Sequence, residues 1–244
     1  MKPLTQPEPN DLRARLAEVG RRIEQSACRA GRAPAEVTLI AVSKTHPAEM
    51  LREAIAAGAR EFGENRVQEA AAKITELGRE AGVRWHLIGH LQANKARRAA
   101  RLFDLIHTVD SASLVGRLER VCAEDGRERL DVLLQVDLAG EAAKSGASEE
   151  ELPSVADALG ACERVRCVGL MTMPPYFEDV EQVRPYFRRL RALRDSLRGR
   201  GLFGDGAGEL SMGMSHDFET AIEEGATLVR VGTAIFGERG RPAL

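Results

Sequence analysis

The sequence predicts a single (β/α)8 TIM barrel, an α/β fold, with an extra helix at its N-terminus. Three observations predict it. Short apolar, β-branched runs alternate with segments of helical periodicity, eight times along the 244 residues. No composition break divides the chain, so 10–244 reads as one domain behind a loose, proline-bearing lead-in over 1–9. No G-x-G-x-x-G follows the first strand, where a doubly wound open sheet would more often place one.

Each unit has its own signals. Asn10 is placed to cap a helix over 11–30, whose Leu12, Leu16, Val19 and Ile23 share one face, and Gly31 stops it. The first strand runs through Val37 to Val42 and ends in polar Ser43-Lys44-Thr45. Pro47 opens a helix carrying Met50, Leu51, Ala54 and Ile55. A short strand over 59–65 leads into a helix with Val67, Ala70, Ile74 and Leu77 on its apolar face. Strand three spans 83–89 and precedes a basic helix with Lys95, Arg97, Arg98 and Arg101, read as a solvated face. Strand four spans 105–109, with Asp110 or Ser111 capping the next helix, and strand five spans 132–136. Ser148 with Glu151 three residues on is a capping box. Strand six, 165–171, is followed by Pro174-Pro175 and a long, arginine-rich amphipathic helix through Phe187, Leu190, Leu193 and Leu197. A glycine-rich link brings a weak seventh strand over 209–212. Ser215 is placed to cap a helix with Phe218, Ala221 and Ile222, and strand eight spans 227–231.

Bulk composition excludes several function classes. A net charge of -2 gives no reason to expect nucleic acid, and no apolar run is long enough for a bilayer. The N-terminus lacks the apolar segment of a signal peptide, so a cytoplasmic protein is expected. Cys28, Cys122, Cys162 and Cys167 are scattered and suit reduced thiols. His86 and His90 form H-x-x-x-H, but on a strand they lie too far apart to share an ion without a bend. A packing or supporting role is expected for them.

Lys44 is the candidate with chemistry. The chain has 30 arginines and only five lysines (2, 44, 73, 95 and 144), so most cationic needs are met by a side chain unable to form a Schiff base. A lysine at the mouth of a buried strand suits attack on a carbonyl, although an ordinary solvated strand end would read the same way. In a barrel the strand ends share one rim, which would gather Lys44, Asn65, His90, Asp137, Met171, Ser211, Arg230, Gly232 and Thr233. The stretches 211–215 and 231–233 offer small residues, hydroxyls and backbone N–H groups to an anion, where such barrels usually hold phosphate. Turn residues and caps have the same composition. Together with Lys44, they suit a phosphorylated aldehyde held as an imine.

These stretches also resemble a known family. Ala41-Val42-Ser43-Lys44-Thr45, Phe62-Gly63-Glu64-Asn65, the run 85–95 from Trp85 to Lys95, Gly169-Leu170-Met171, Leu210-Ser211-Met212-Gly213-Met214-Ser215 and the run 229–237 are similar to the pyridoxal phosphate homeostasis proteins, relatives of the alanine racemase barrel domain. The resemblance implies a (β/α)8 domain holding pyridoxal 5′-phosphate on Lys44. It implies that Ser211, Met212, Ser215, Gly232 and Thr233 surround the phosphate, that Arg230 faces the pyridine nitrogen, and that Asn65 and Met171 lie near the cofactor. Asp137 stands where relatives commonly have asparagine, which puts in doubt any bond needing amide N–H donors. His46 follows Thr45 where relatives often have lysine, and Lys144 is a candidate second attachment point.

An arginine at the ring nitrogen disfavours a protonated pyridine and weakens the cofactor as an electron sink. Racemisation needs an acid/base on each face, and Tyr176 and Tyr186, near or on the sixth helix, are poor candidates for the second. The expectation is a carrier that buffers pyridoxal phosphate or delivers it to apoenzymes, tuning amino-acid and keto-acid balance. An amino-acid racemase is the first alternative and a lysine aldolase the second.

Overall fold

The computed structural model describes residues 11–78, 82–140 and 145–237. Its sheet consists of β1 (Thr38–Val42), β2 (Glu61–Glu64), β3 (Arg84–Leu87), β4 (Leu105–Val109), β5 (Leu130–Gln135), β6 (Val165–Met171), β7 (Glu209–Met214) and β8 (Leu228–Val231). All eight pair in parallel in sequence order, and β1 returns to β8 with Thr38 opposite Leu228 and Ala41 opposite Val231. The barrel is closed. The lead-in expected over 1–9 lies outside the described residues.

The surrounding helices are α1 (Leu12–Arg29), α2 (Ala48–Ala56), α3 (Val67–Leu77), α4 (Ala96–Leu102), α5 (Ala112–Glu124), α6 (Leu152–Gly160), α7 (Arg184–Gly199), α8 (Phe218–Glu223) and α9 (Thr233–Phe236). Helix-facing strand residues such as Phe62, Leu134, Leu170 and Val229 join the helices' apolar faces in one continuous core. A second, small cluster of Ile40, Leu105, Leu133, Met171 and Leu228 fills the barrel itself. The rest of the interior is polar: His86, His107, Ser211 and Arg230 are all buried.

α1 begins one residue later than expected. Asp11 is its cap and accepts from Arg13 N at 2.9 Å, while Asn10 lies outside the described residues. The helix clamps the barrel's last units. Arg22 makes two bonds to Glu219, at 2.9 and 2.8 Å, and Arg15 Nε donates to Ile235 O at 2.7 Å. Arg32 reaches Ile222 O and Ala226 O at 2.9 and 2.8 Å.

Two further local readings meet the structure directly. The Ser148/Glu151 box forms, with Ser148 N donating to Glu151 Oε2 at 2.9 Å and Glu151 N to Ser148 Oγ at 3.3 Å, one turn ahead of α6. Ser215 does not cap α8. Asp217 occupies the cap position, because β7 runs on to Met214 and displaces the helix start.

Candidate functional site

The C-terminal end of β1 is held from below by a buried charged cluster. Ser43 is fully buried and its hydroxyl donates to Glu64 Oε1 at 2.7 Å, at the end of β2. Lys73, reaching in from α3, donates to Ser43 O at 2.7 Å, Glu64 Oε1 at 2.6 Å and Glu69 Oε1 at 2.7 Å. Glu69 in turn accepts from Thr45 N. Thr45 has φ 68°, the left-handed conformation that a β-branched residue adopts only under constraint. Both neighbours of the half-buried Lys44 are therefore tied through backbone atoms, and the turn that presents the amine is fixed. Burial pushes the Glu64 carboxyl up despite Lys73 and Ser43; burial also raises Glu69, but its bonds to Lys73 and Thr45 leave it below the usual range.

The end of the chain closes on this turn. The register between β1 and β8 sets Gly232 beside Val42, and a Cβ at Gly232 would stand 3.4 Å from both Val42 Cβ and its carbonyl oxygen. His46 stacks on Phe236, ring centroids 5.0 Å apart. Gly232 N donates to Ser215 Oγ at 3.1 Å, which ties the loop after β7 to the loop after β8. Ile235 N and Phe236 N both donate to Gly232 O at 2.9 Å, so Thr233 and Ala234 carry the leading amides of α9. Gly213, at φ 92°, is packed so closely that a Cβ would lie 2.6 Å from Ala221 Cβ.

Beneath this rim lies Arg230. It is fully desolvated, which lowers its guanidinium to about 10, with Asp217 opposing the shift. It stays a cation at neutral pH. Nη1 donates to Ser211 Oγ at 2.5 Å and Nη2 to Thr172 O at 2.9 Å. Ser211 Oγ also meets His107 Nδ1 at 2.8 Å, His107 Nε2 meets His86 Nδ1 at 2.9 Å, and His86 Nε2 meets Glu61 Oε2 at 2.5 Å.

Burial, reinforced by repulsion from His86, Arg230 and Arg84, pushes His107 well below 6.5. A base lowered on folding contributes stability above its unfolded pKa and loses it as pH falls. Stability is expected to drop by about 1.4 kcal/mol per pH unit below about pH 6.5 from this group alone. Urea unfolding at pH 7.0 and 5.5 measures it, and His107→Gln should flatten the dependence.

The remaining expected residues divide. Asn65 follows β2 with its Oδ1 buried and unpartnered; Glu64 Oε2 and Gln135 Oε1 share that state. Gly89 packs on Asn65 so tightly that a Cβ would stand 2.3 Å from Asn65 O. Gly89→Ala is expected to destabilise by about 1–3 kcal/mol and to displace Asn65, readable as a lowered Tm. Met171 is fully buried in the barrel-filling cluster and forms floor beneath the rim. The Met212 side chain points out among the helices, which leaves only its backbone at the rim.

Asp137 Oδ1 accepts from Ala139 N and Gly140 N at 3.0 and 3.1 Å. That is acceptor work, for which a carboxylate serves as well as an amide oxygen. His90, at the exposed rim, has Asp110 Oδ2 at 3.7 Å, while His86 points into the barrel. Lys144 lies outside the described residues. A cavity of about 710 Å³ lies between α6 and α7 against the start of β6, away from the C-terminal strand ends. Size does not locate the site here. A cavity of about 410 Å³ does reach the rim, bordered by Asn65, Gly89, His90 and Lys95.

Sequence reasoning missed Glu61, Glu64, Lys73, His107 and Thr172. Lys73 had a visible signal, since it sits within the apolar stripe of Ala70, Ile74 and Leu77. His107 had a weaker one, as a polar residue in the middle of an apolar strand.

Residues 16–240 match the family model of the alanine racemase N-terminal domain. A pyridoxal phosphate homeostasis protein of Pseudomonas aeruginosa is 46% identical over 230 residues, covering 93% of this chain and 96% of that protein. The chain belongs to the pyridoxal phosphate homeostasis protein family. Among solved structures, PipY of Synechococcus elongatus with PLP bound superposes with a TM-score of 0.80 at 41% identity, covering 93% of this chain and all of that one. An alanine racemase from Corynebacterium glutamicum, 22% identical with a TM-score of 0.63, covers 91% of this chain and 60% of that one, and shares the fold.

For a member of this family, the donor set fits the cofactor. A primary amine on a fixed turn stands beside a small-residue rim able to admit an anion, and a buried cation lies below. The unpartnered oxygens of Asn65 and Gln135 at the strand ends are the kind of vacancy that a hydrogen-bonding ligand fills.

Proposed function

We propose that this chain holds pyridoxal 5′-phosphate as a Schiff base on Lys44 and serves pyridoxal phosphate homeostasis by buffering and delivering the cofactor. The observation that carries the reading is the fixed turn of Ser43-Lys44-Thr45 at the end of β1, where Val42 packs on Gly232, with Arg230 on the paired strand β8. When bound, the cofactor supplies an aldehyde for condensation with an amine and a pyridine ring that withdraws electrons.

The chain's own residues do the rest. Lys44 provides the amine. Ser215, Gly232, Thr233 and the leading amides of α9 receive the phosphate, aided by the partial positive charge of a helix start. Asn65 and Met171 border the ring. Arg230 is a buried cation with no proton to accept, so it favours an unprotonated ring nitrogen. That arrangement permits imine exchange and disfavours carbanion chemistry, which supports a carrier over a catalyst. Tyr176 is 73% exposed and packs on His216, and Tyr186 packs on Phe177. Neither placement supplies a buried acid/base opposite Lys44.

Delivery to apoenzymes belongs to the same reading. Among the described residues the exposed large apolar side chains are Met173 and Tyr176, in the loop after β6, and Met214, the last residue of β7, all on the site's own face. Contact there would put a recipient beside the cofactor.

The test is the visible spectrum of the purified protein before and after borohydride, followed by peptide mass mapping. A reducible band fixed as a pyridoxyl group on Lys44 is expected. A colourless protein that takes up no pyridoxal phosphate overturns the binding. Steady interconversion of L- and D-alanine, lost in Lys44→Ala, overturns the carrier role.

A further inference from the structure

The hydrogen-bonded row from Arg230 to Glu61 crosses the barrel from the cofactor rim to the opposite mouth. Arg230 stands on β8, Ser211 on β7, His107 on β4, His86 on β3 and Glu61 at the start of β2. All but Glu61 are at most 3% exposed. The Glu61 side chain is 18% exposed, and His86 borders a cavity of about 380 Å³ together with Arg84, Arg129, Asp131 and Arg166. One end of the row meets solvent and the other lies under the rim.

Counting protons gives the row a direction. The guanidinium donates to Ser211 Oγ, which leaves the hydroxyl hydrogen for His107 Nδ1. His107 then carries its proton on Nε2 and donates to His86 Nδ1. His86 likewise donates from Nε2 to Glu61. With both imidazoles neutral and Glu61 ionised, each hydroxyl and imidazole in the row donates once and accepts once. The reverse order needs a protonated Glu61 or a cationic His86. It also puts two donors on Ser211 Oγ and leaves that hydroxyl hydrogen without its acceptor. Burial raises the Glu61 carboxyl, but His86 and Arg84 outweigh this and hold it below the usual range. Arg84 pairs with Glu61 at 3.4 Å, Arg129, Asp131, Arg166, Arg194 and Glu209 line the cavity at that end, and Asp217 acts on the Arg230 end.

We propose that Glu61, His86 and His107 are positioning residues for the cofactor, passing a single direction of hydrogen bonding through Ser211 that holds the Arg230 guanidinium oriented and charged. This rests on the proposed cofactor site for its last link alone, the effect of Arg230 on the ring nitrogen. A buried guanidinium without a committed acceptor would share its donors among several carbonyls and lose its fixed plane. The row supplies that acceptor, and its polarisation ends in a carboxylate near water.

The test uses the full chain with and without pyridoxal phosphate. In the cofactor-free protein, nitrogen NMR should show both imidazoles neutral with the proton on Nε2, and slow exchange of the Arg230 side-chain protons. Glu61→Leu should mix the His86 tautomers and speed that exchange by roughly tenfold. Glu61→Gln keeps an acceptor oxygen and should restore most of the wild-type behaviour. In the loaded protein, the pH midpoint of the visible band should rise by about one unit in His107→Phe and Glu61→Leu. Exposed Glu36→Gln is the control and should leave it unchanged.

Protons found on Nδ1 in the wild type overturn the direction. Arg230 exchange and a band midpoint unchanged in a folded Glu61→Leu protein overturn the positioning role, even if His107→Phe fails to fold. A wild type that binds no pyridoxal phosphate defeats the proposed function, while the cofactor-free measurements still decide whether the row holds Arg230.

Discussion

Lys44→Ala should abolish the borohydride-fixable band and weaken retention of pyridoxal phosphate by about 100-fold or more, while Tm stays near the wild type. The covalent link is the contribution that the neighbouring side chains do not replace, since among the described residues Lys44 carries the amine on the fixed turn beside Gly232, while Lys95 borders the rim on the far side of Asn65 and Gly89. The fold should survive because the bonds from Lys73 and Glu69 that shape this turn use the backbone of Ser43 and Thr45. Residual weak uptake is expected, because the rim of Ser215, Gly232 and Thr233 and the Arg230 cation remain. Equilibrium dialysis together with the spectrum measures both parts. An unchanged band would move the attachment to another lysine.

Lys73→Met should cost more in stability than any other single change discussed, about 3–5 kcal/mol. The ammonium is 8% exposed and is shared by Ser43 O, Glu64 and Glu69. Removing it strands Glu64, which is fully buried and already has one oxygen without a partner. The pH dependence carries a definite sign. Burial raises the folded Glu64 carboxyl above the usual carboxylate range, so the folded state holds that proton more tightly. Its contribution is complete below about pH 4.5 and is lost as pH rises through the folded value. Without Lys73 that folded value climbs further, so the deficit of Lys73→Met should grow toward neutral pH. Chemical unfolding across pH 4 to 8 tests it; a flat deficit would show that Glu64 is not the stranded charge. Adding Glu64→Gln should recover part of the loss, because two neighbouring changes that share one bond do not add.

The strand–helix alternation was readable because runs such as β1, β4 and β5 are mostly apolar and most helices carry one apolar stripe, patterns that survive without tertiary knowledge. Lys44 was readable for a different reason, since a charged residue ending an apolar strand contrasts with its own neighbours. Ser215 shows where local signals stop. A serine between a strand and a helix is an equally good cap or loop acceptor, and the extra length of β7 decided the matter in favour of Gly232 N. The buried rows were hidden because their members come from five separate units. Glu61, His86, His107, Ser211 and Arg230 are each ordinary in their own window, and their relation exists only once the strands close. Lys73 and Glu64 are nine residues apart on neighbouring elements, and there the misplaced charge within a helical stripe was the available clue.

The pairing of β1 with β8 also governs when this molecule becomes competent during its synthesis. Thr38 waits for Leu228, some 190 positions downstream, and the turn bearing Lys44 faces Gly232 only after that contact. Closing so long a loop is entropically costly and kinetically late. While the C-terminal units remain in the ribosomal tunnel, a nascent chain already has Lys44 and lacks Gly232 and Thr233, the wall proposed to receive the phosphate. Loading therefore reports on completion, since the pocket cannot form before the last strand emerges. Until then α1 and β1 present apolar faces that α8, α9 and β8 will later cover.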